Sequence, residues 1–392
     1  MQRHNWKKGL GLFLAAVVIL AIFISRDNNS NDAEPNPPDN APNDMIEQSD
    51  QLFPPGTPAG NDEVAGIKLQ TVIIDIEDAP PVLWEEFFYD LWSAAATIMQ
   101  FGEPPDWNAP FDFGSLDEPL TYSDLVLQLA TEVAISRRAI GILYDEMPDV
   151  HWEDNYEEMR AVQLETQNWT EAQFAASLWE QHRITENAFI YVNTGMGRRA
   201  ALLQAMYGEH GDETPDETVA LYVSENNIVR AKHILFSTDT EHGGARDSDT
   251  AGVRAAEVYE YLQTFSGDEL FARFDELMQE HGEDPGMETN PGGYVFGAGV
   301  MMDAFFEGAL AINEGTISEP ILTDFGYHII LRLPVSPDDE LMASPVGPGG
   351  PLRQRAALFD FDRYIETIAA DLRFTFTAYV NQIDLGIVVT AS

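Results

Sequence analysis

The sequence contains no cysteine. Disulfide bonds, thiolate catalysis, cysteine-ligated zinc and a lipid attached to a thiol are therefore excluded. Basic residues are also scarce: Lys and Arg together number 21, against 66 Asp and Glu, which gives a net charge of -45. Nucleic-acid binding needs clustered cations that replace counterions. We therefore expect no nucleic-acid partner.

One long apolar run lies near the N-terminus. It extends from Gly9 to Ile24, with Lys7 and Lys8 directly before it and acidic residues after it. This charge asymmetry predicts that the N-terminus is inside the cell and the rest of the chain outside. The run is at the short limit for spanning a bilayer, and a cleaved signal peptide is the alternative. Because LAIFISRD offers no good small-residue cleavage site, we expect residues 1–26 to form an uncleaved single-pass membrane anchor.

The rest of the chain divides into four parts by composition and periodicity. Residues 27–63 are rich in Asn, Asp and Pro and predict a disordered linker. Residues 64–225 predict a mainly helical domain, in which a short strand at Thr71–Ile76 comes before the helices. Residues 226–336 predict a compact α+β unit, and residues 337–392 form a separate C-terminal segment.

Helix starts and aromatic residues are the main signals in the helical part. Thr121 with Asp124 predicts an N-cap, and a second helix start is expected within Asn168–Glu171. Thr214 with Glu217 predicts a capping box with proline at the first helical position. We expect the aromatic residues of this part to be core rather than a client-binding surface: Trp84, Phe87, Phe88, Trp92, Trp169 and Trp179.

The α+β part begins and ends with apolar strand patterns. Ile228–Phe236 predicts a strand that contains His233, and Tyr327–Leu333 predicts a final strand that contains His328. Two helical stretches, a glycine-rich turn and a short helix lie between them. The expected order is therefore β-α-α-turn-α-β.

Four segments of this part resemble, in order and spacing, the signature blocks of the parvulin family of peptidyl-prolyl cis/trans isomerases. They read VRAKHILF, GEDPG, NPGGYVFGAGVMMDAFFEGALAINEG and ISEPILTDFGYHIILRL. The resemblance implies a parvulin-like α+β domain, with a small antiparallel sheet flanked by helices, over residues 226–336. It also implies prolyl isomerisation without a metal or a cofactor, because no covalent bond is broken.

The flanking sequence is similar to PrsA-like and SurA-like foldases, in which a helical chaperone domain precedes the parvulin unit. The similarity lies in WTEAQFAASLWEQHRITENAF and DETPDETVALYVSENNIVRAKHIL. It implies that residues 64–225 are a chaperone-like domain and that residues 337–392 pack back on it. The implied partners are unfolded exported polypeptides containing X-Pro segments, outside the cytoplasmic membrane of a bacterium.

The parvulin resemblance assigns roles to the polar residues of the site. His233 and His328 match the paired histidines, whose implied role is a hydrogen-bond network rather than proton transfer, and Thr323 matches a hydroxyl residue of that network. Asp284 is expected to lie near the substrate carbonyl and to disfavour amide resonance electrostatically. The alternative for Asp284 is a turn-forming residue before Pro285.

The resemblance also assigns an apolar wall for the proline ring. Met301 and Phe305 match this wall, and Phe325 is expected to extend it. The segment Gly292–Phe296 is two residues shorter than the family pattern, so either Tyr294 or Val295 is expected to replace a missing leucine.

Specificity for phosphoproteins is not expected. The loop after His233 carries Arg246 among acidic residues, and a single arginine does not form the basic cluster that binds phosphate.

Three functions are consistent with the sequence. The first is an active isomerase that assists the folding of exported proteins. The second is a holdase chaperone whose parvulin unit is weakly active or inactive, a hypothesis motivated by the shortened glycine turn. The third is a membrane-tethered scaffold without either activity. We expect the first.

Overall fold

The computed structural model describes residues 62–100, 105–111, 120–238, 248–344 and 347–390. The predicted anchor at residues 1–26 lies outside these ranges, as does nearly all of the predicted linker. Within the described ranges, no helix is both long and apolar enough to cross a bilayer.

The secondary structure is mixed α and β. The first part of the chain forms β1 (Glu63–Val64), β2 (Ile67–Lys68), β3 (Val72–Ile76), β4 (Val82–Leu83), α1 (Trp84–Met99), β5 (Pro110–Phe111), β6 (Leu120–Thr121), α2 (Tyr122–Glu146), α3 (Tyr156–Gln167), α4 (Glu171–His182) and α5 (Glu186–Tyr207). The second part forms α6 (Asp216–Glu225), β7 (Val229–Ser237), α7 (Ser248–Leu262), α8 (Gly267–His281), α9 (Pro285–Thr289), β8 (Tyr294–Phe296), α10 (Asp303–Ala311), β9 (Ile321–Thr323), β10 (Gly326–Leu333), β11 (Glu340–Leu341), β12 (Gly350–Pro351), α11 (Leu352–Asp371), β13 (Phe374–Phe376), a 3-10 helix (Ala378–Gln382) and α12 (Leu385–Thr390).

The chain forms two compact units. Of the described residues, those up to Leu202 and those from Arg363 onward form one unit, and those within Leu203–Asp362 form the other. The predicted domain limits, which place the α+β unit at 226–336, stay a prediction.

The first unit is a helical body with a small antiparallel sheet. β3 is the central strand, with β13 on one side and β4 on the other. Trp84, Phe87 and Phe88 of α1 are fully buried in the core beside this sheet, and the ring of Phe88 stacks on Trp179. Trp92 and Trp169 are partly buried against the core clusters of this unit. The prediction of core positions is confirmed for Trp84, Phe87, Phe88 and Trp179.

Two ion pairs are buried between α1 and α2. The guanidinium of Arg137 donates to both carboxylate oxygens of Asp90, at 2.8 and 3.1 Å. These two side chains are 10% and 1% exposed, respectively. Arg138 donates to Glu86 at 2.8 Å and to the carbonyl of Pro80 at 2.9 Å. Charges this far from solvent are tolerated only when they are paired.

Two of the three helix starts predicted from the sequence are confirmed, and one is wrong. Thr121 and Asp124 form a complete capping box at the start of α2. Thr170 caps α4 in the same way, within the expected segment. The capping box predicted at Thr214 is wrong, because α6 begins after Pro215 without a side-chain cap. The Thr214 hydroxyl instead donates to the carbonyl of Gly211 at 2.6 Å.

The second unit is built on a four-stranded antiparallel sheet with the order β8-β7-β10-β9. β7 and β10, the two strands predicted from the sequence, are its long central pair. The short strands β8 and β9 at the edges were not predicted. They are only three residues long, which is too short for an alternating pattern to stand out.

Both faces of this sheet are covered. Ile234, Phe236, Ile329 and Leu331 point to one face and pack with residues of α7 and α8, among them Phe274. The opposite face carries Ala231, Phe296 and Ile330, which pack with Phe305 of α10. Side chains alternate along a strand, so the odd-numbered residues of β7, including His233, belong to the α10 face.

Candidate active site

Two histidines meet on the α10 face of the sheet. In the β7–β10 register His233 is opposite Ile330, and His328 is opposite Leu235, so the two imidazoles are diagonal neighbours on one face. Their Nδ1 atoms are 2.8 Å apart. The rings are nearly parallel, with centroids 5.0 Å apart, and both residues are buried.

Asp284 lies at the end of this pair. One of its carboxylate oxygens, Oδ2, is 2.7 Å from Nε2 of His233, and Tyr294 donates its hydroxyl to the same oxygen at 3.1 Å. The other oxygen accepts the backbone N–H of Gly286 at 3.0 Å, which caps the short helix α9. Asp284 therefore caps α9, as the turn-forming alternative expects, and also contacts His233. Its expected role near a substrate carbonyl stays a prediction.

Thr323 closes the other end of the chain of contacts. Its Oγ1 atom is 2.8 Å from Nε2 of His328, and it accepts the backbone N–H of Phe325 at 3.2 Å. Thr323, His328, His233 and Asp284 thus form one continuous hydrogen-bonded row across three strands and the start of α9.

An apolar wall lies beside the histidines. Phe305 of α10 is buried and presents its ring edgewise to His233 and His328, at centroid distances of 5.1 and 5.3 Å. Met301 is partly buried against the same cluster. Phe325 is 48% exposed, and its ring belongs to neither of the two clusters that cover the sheet.

The family model described as Rotamase, PPIC-type PPIASE domain, matches residues 233–333. The match begins at the first site histidine and ends with β10. The chain contains a PPIC-type peptidyl-prolyl isomerase domain. The resemblance to the parvulin family that the sequence motifs indicated is therefore confirmed for this part of the chain.

Curated relatives match between about a third and about half of this chain. One relative is a Campylobacter jejuni (strain 81-176) protein with the name peptidyl-prolyl cis-trans isomerase Cbf2. It is 35% identical to this chain over 136 residues, which are 34% of this chain and 41% of the relative. Foldase protein PrsA of Halalkalibacterium halodurans is 30% identical over 213 residues, covering 54% of this chain and 57% of its own. The chain spans less than two thirds of the length of these curated relatives.

A solved structure of PrsA from Bacillus cereus is 17% identical to this chain. It covers 68% of this chain and 91% of its own, with a TM-score of 0.24.

The charge state of the PPIC-type site follows from its contacts. Burial alone raises the pKa of the Asp284 carboxyl, but hydrogen bonds from His233, Gly286 N–H and Tyr294 lower it to about 2. Burial, together with the nearby His233, lowers the pKa of His328 to about 3. At neutral pH Asp284 is therefore an anion and His328 is uncharged.

The ionised carboxylate sets the direction of the first contact of the row. An ionised Asp284 only accepts, so Nε2 of His233 donates to it. Each further contact pairs one donor with one acceptor: Nδ1 of His233 with Nδ1 of His328, and Nε2 of His328 with the hydroxyl of Thr323. These contacts hold the carboxylate at one fixed orientation.

The sequence motifs did not identify Tyr294 as a polar residue of the site. Tyr294 was considered only as a replacement for an apolar residue, whereas its hydroxyl contacts Asp284. Val295, the other replacement considered, is buried in a cluster with Val219 and Leu352 on the far side of its strand. The alternation of β8 would have separated Tyr294 from Val295, but a three-residue strand gives no sequence signal of its own.

Proposed function

We propose that the PPIC-type domain is an active peptidyl-prolyl cis/trans isomerase that assists the folding of exported proteins. The observation that carries this proposal is the hydrogen-bonded row from Thr323 to Asp284, lying beside the apolar residues Phe305 and Met301. A fixed anion next to an apolar wall is suited to a substrate that is a proline ring joined to a polar amide.

The physical problem is the partial double bond of the amide. Rotation about an X-Pro bond has a barrier of about 18–20 kcal/mol and takes tens to hundreds of seconds without catalysis. A thousandfold acceleration requires about 4 kcal/mol of stabilisation that the twisted amide receives and the planar forms do not. No covalent bond is broken, so the chemistry requires neither a metal nor a cofactor.

Asp284 supplies this difference in the proposed mechanism. In a planar amide the carbonyl oxygen carries partial negative charge from the nitrogen lone pair, and twisting returns that charge to nitrogen. A carboxylate close to the carbonyl oxygen repels the planar form more than the twisted form. His233, His328 and Thr323 fix the carboxylate in place, and none of them needs to transfer a proton.

Met301, Phe305 and Phe325 bind the proline ring in this proposal. Phe305 forms the buried floor, Met301 the adjacent wall, and the exposed ring of Phe325 closes over bound substrate. The substrates are X-Pro segments of unfolded or partly folded exported polypeptides, without a requirement for phosphate.

The Met301→Ala variant tests the pocket. We expect the wild-type full chain to accelerate the exchange of a short X-Ala-Pro-Phe peptide, measured by NMR exchange spectroscopy. The variant is expected to lose about tenfold in kcat/KM, mostly through KM, because it removes apolar contact with the ring. Met159→Ala is the matched control, since Met159 is an exposed methionine of the other unit. Equal KM values for wild type and Met301→Ala would remove Met301 from the pocket.

We further propose that residues 1–26 anchor the chain in the cytoplasmic membrane, with the body outside. The apolar run with basic residues before it and acidic residues after it supports this. In a bacterial host, the full chain is expected to stay in the membrane fraction after an alkaline carbonate wash, and a chain lacking residues 1–26 to leave it. Recovery of the full-length product in the soluble fraction would count against an anchor, and a new N-terminus near residue 26 would identify a cleaved signal.

A further inference from the structure

Tyr294 occupies a specific place at the edge of the sheet. It is opposite Ala231 in the β8–β7 pairing, which puts its side chain on the face that carries His233. The two rings are tilted by 44° with centroids 6.2 Å apart. The tyrosine is therefore a neighbour of the histidine row without being part of it.

The Tyr294 hydroxyl contacts the functional carboxylate itself. It donates to Oδ2 of Asp284 at 3.1 Å, the same oxygen that receives Nε2 of His233 at 2.7 Å. Oδ2 thus has two donors from two different strands, while Oδ1 has the backbone N–H of Gly286. Three donors from three directions define both the position and the rotation of the carboxylate.

Gly286 makes this contact possible. A Cβ atom at position 286 would overlap the Tyr294 hydroxyl, with the nearest oxygen of Asp284 at 3.2 Å. The absence of a side chain at Gly286 therefore leaves the space that the hydroxyl occupies. The glycine, the tyrosine and the carboxylate fit together as one unit.

The protonation of the pair is consistent with a donor role for the tyrosine. Burial and the adjacent Asp284 anion raise the pKa of Tyr294 above its usual range, so the hydroxyl keeps its hydrogen at all physiological pH values. The titratable side chains that face Asp284 are Tyr294 from β8, His233 from β7 and, one step further, His328 from β10.

We propose that Tyr294 is a positioning residue for the isomerisation, holding the Asp284 carboxylate in its productive orientation. This inference rests on the proposed function of the domain, because it assigns Asp284 the active role. It also gives the shortened segment Gly292–Phe296 a function, since the hydroxyl of Tyr294 makes a contact with Asp284 that an apolar residue would not make.

The Tyr294→Phe variant tests the proposal through its pH profile. Removal of one hydrogen bond to a carboxylate raises the pKa of that carboxyl, so activity that requires the anion is lost at a higher pH as the solution is acidified. We expect the acid limb of kcat/KM to move upward by about one pH unit. At neutral pH we expect kcat to fall about threefold to tenfold, with KM nearly unchanged.

The matched control is Tyr327→Phe. Tyr327 is a partly buried tyrosine of β10 whose ring lies close to Gly252 of α7, on the opposite face of the sheet from His328. This control removes a tyrosine hydroxyl from the same sheet but leaves the contact between Tyr294 and Asp284 intact. Tyr327→Phe is expected to keep the wild-type pH profile.

A second measurement is independent of activity. The ¹³C shift of the Asp284 carboxyl, followed by NMR from pH 8 down to pH 2, is expected to begin its titration at a higher pH in Tyr294→Phe than in wild type. An unchanged Asp284 titration in the variant would overturn the positioning role. An inactive wild type with the expected Asp284 shift would instead refute the proposed function and leave the contact intact.

Discussion

Replacement of Asp284 by alanine is expected to lower kcat/KM for prolyl isomerisation by about a hundredfold to a thousandfold, the range seen when one fixed electrostatic group is removed from an active site. Asp284 is an anion at neutral pH and supplies the negative charge of the hydrogen-bonded row. Its removal leaves the apolar wall and the histidine pair but abolishes the repulsion that disfavours the planar amide. The measurement is peptide exchange by NMR at neutral pH with the full chain.

Two further variants separate charge from structure. Asp284 also caps α9, and loss of a cap costs about 1 kcal/mol of stability. Asp284→Asn keeps a capping oxygen and removes the charge, so we expect it to be nearly as inactive as the alanine variant. Glu288→Gln removes an exposed carboxylate from the same short helix and is expected to retain activity. An active Asp284→Asn protein would contradict the electrostatic role.

The same variants distinguish an isomerase from a holdase. Protection of an aggregation-prone client protein is expected to survive Asp284→Ala, because binding of unfolded chains does not depend on this carboxylate. If wild type and Asp284→Ala protect the client equally and neither accelerates exchange, the chain is a holdase with an inactive parvulin unit.

The second large effect is expected on stability. Replacement of Asp90 by alanine leaves Arg137 buried and unpaired, which costs about 3–5 kcal/mol of unfolding free energy. The pair has two short hydrogen bonds and almost no solvent contact, so water cannot compensate for the lost partner. The effect is expected in the first unit alone.

Tryptophan fluorescence measures this unit selectively. No tryptophan lies within Leu203–Asp362, whereas six lie in the first unit between positions 84 and 179: Trp84, Trp92, Trp107, Trp152, Trp169 and Trp179. Denaturant titration followed by fluorescence is therefore expected to show the loss in Asp90→Ala.

Two controls complete the stability experiment. The Asp90→Leu, Arg137→Met double variant is expected to recover most of the stability, because it leaves no unpaired charge. Glu77→Ala, which breaks an exposed ion pair with Arg373 in the same unit, is expected to cost at most about 1 kcal/mol. A cost for Asp90→Ala no larger than that for Glu77→Ala would contradict the buried pairing.

The sequence predicts those parts of the fold whose signals are long or repeated. β7 and β10 have apolar patterns of eight or nine residues, and both were predicted within a residue or two. Thr121 and Asp124 predicted a helix start because both halves of a capping box lie within four residues. Thr214 and Glu217 have the same local pattern. The Thr214 hydroxyl instead donates to backbone carbonyls, including that of Arg353, which is distant in sequence, so it does not cap the helix.

The site shows the same limit. His233, His328, Thr323 and Asp284 were chosen from motifs, and the structure brings all four together. The hydrogen bond from Tyr294 to Asp284 was not predicted, because it depends on the path of the chain through α9 and the following turn. Neither residue indicates the other by type or spacing, so only the folded structure reveals the pair.

The most direct test of the account is the cis/trans exchange rate of an X-Ala-Pro-Phe peptide with and without the wild-type full chain. The account predicts exchange far faster than in free peptide, and its loss in Asp284→Asn. Exchange no faster than that of the free peptide would contradict the claim that the row from Thr323 to Asp284 catalyses prolyl isomerisation.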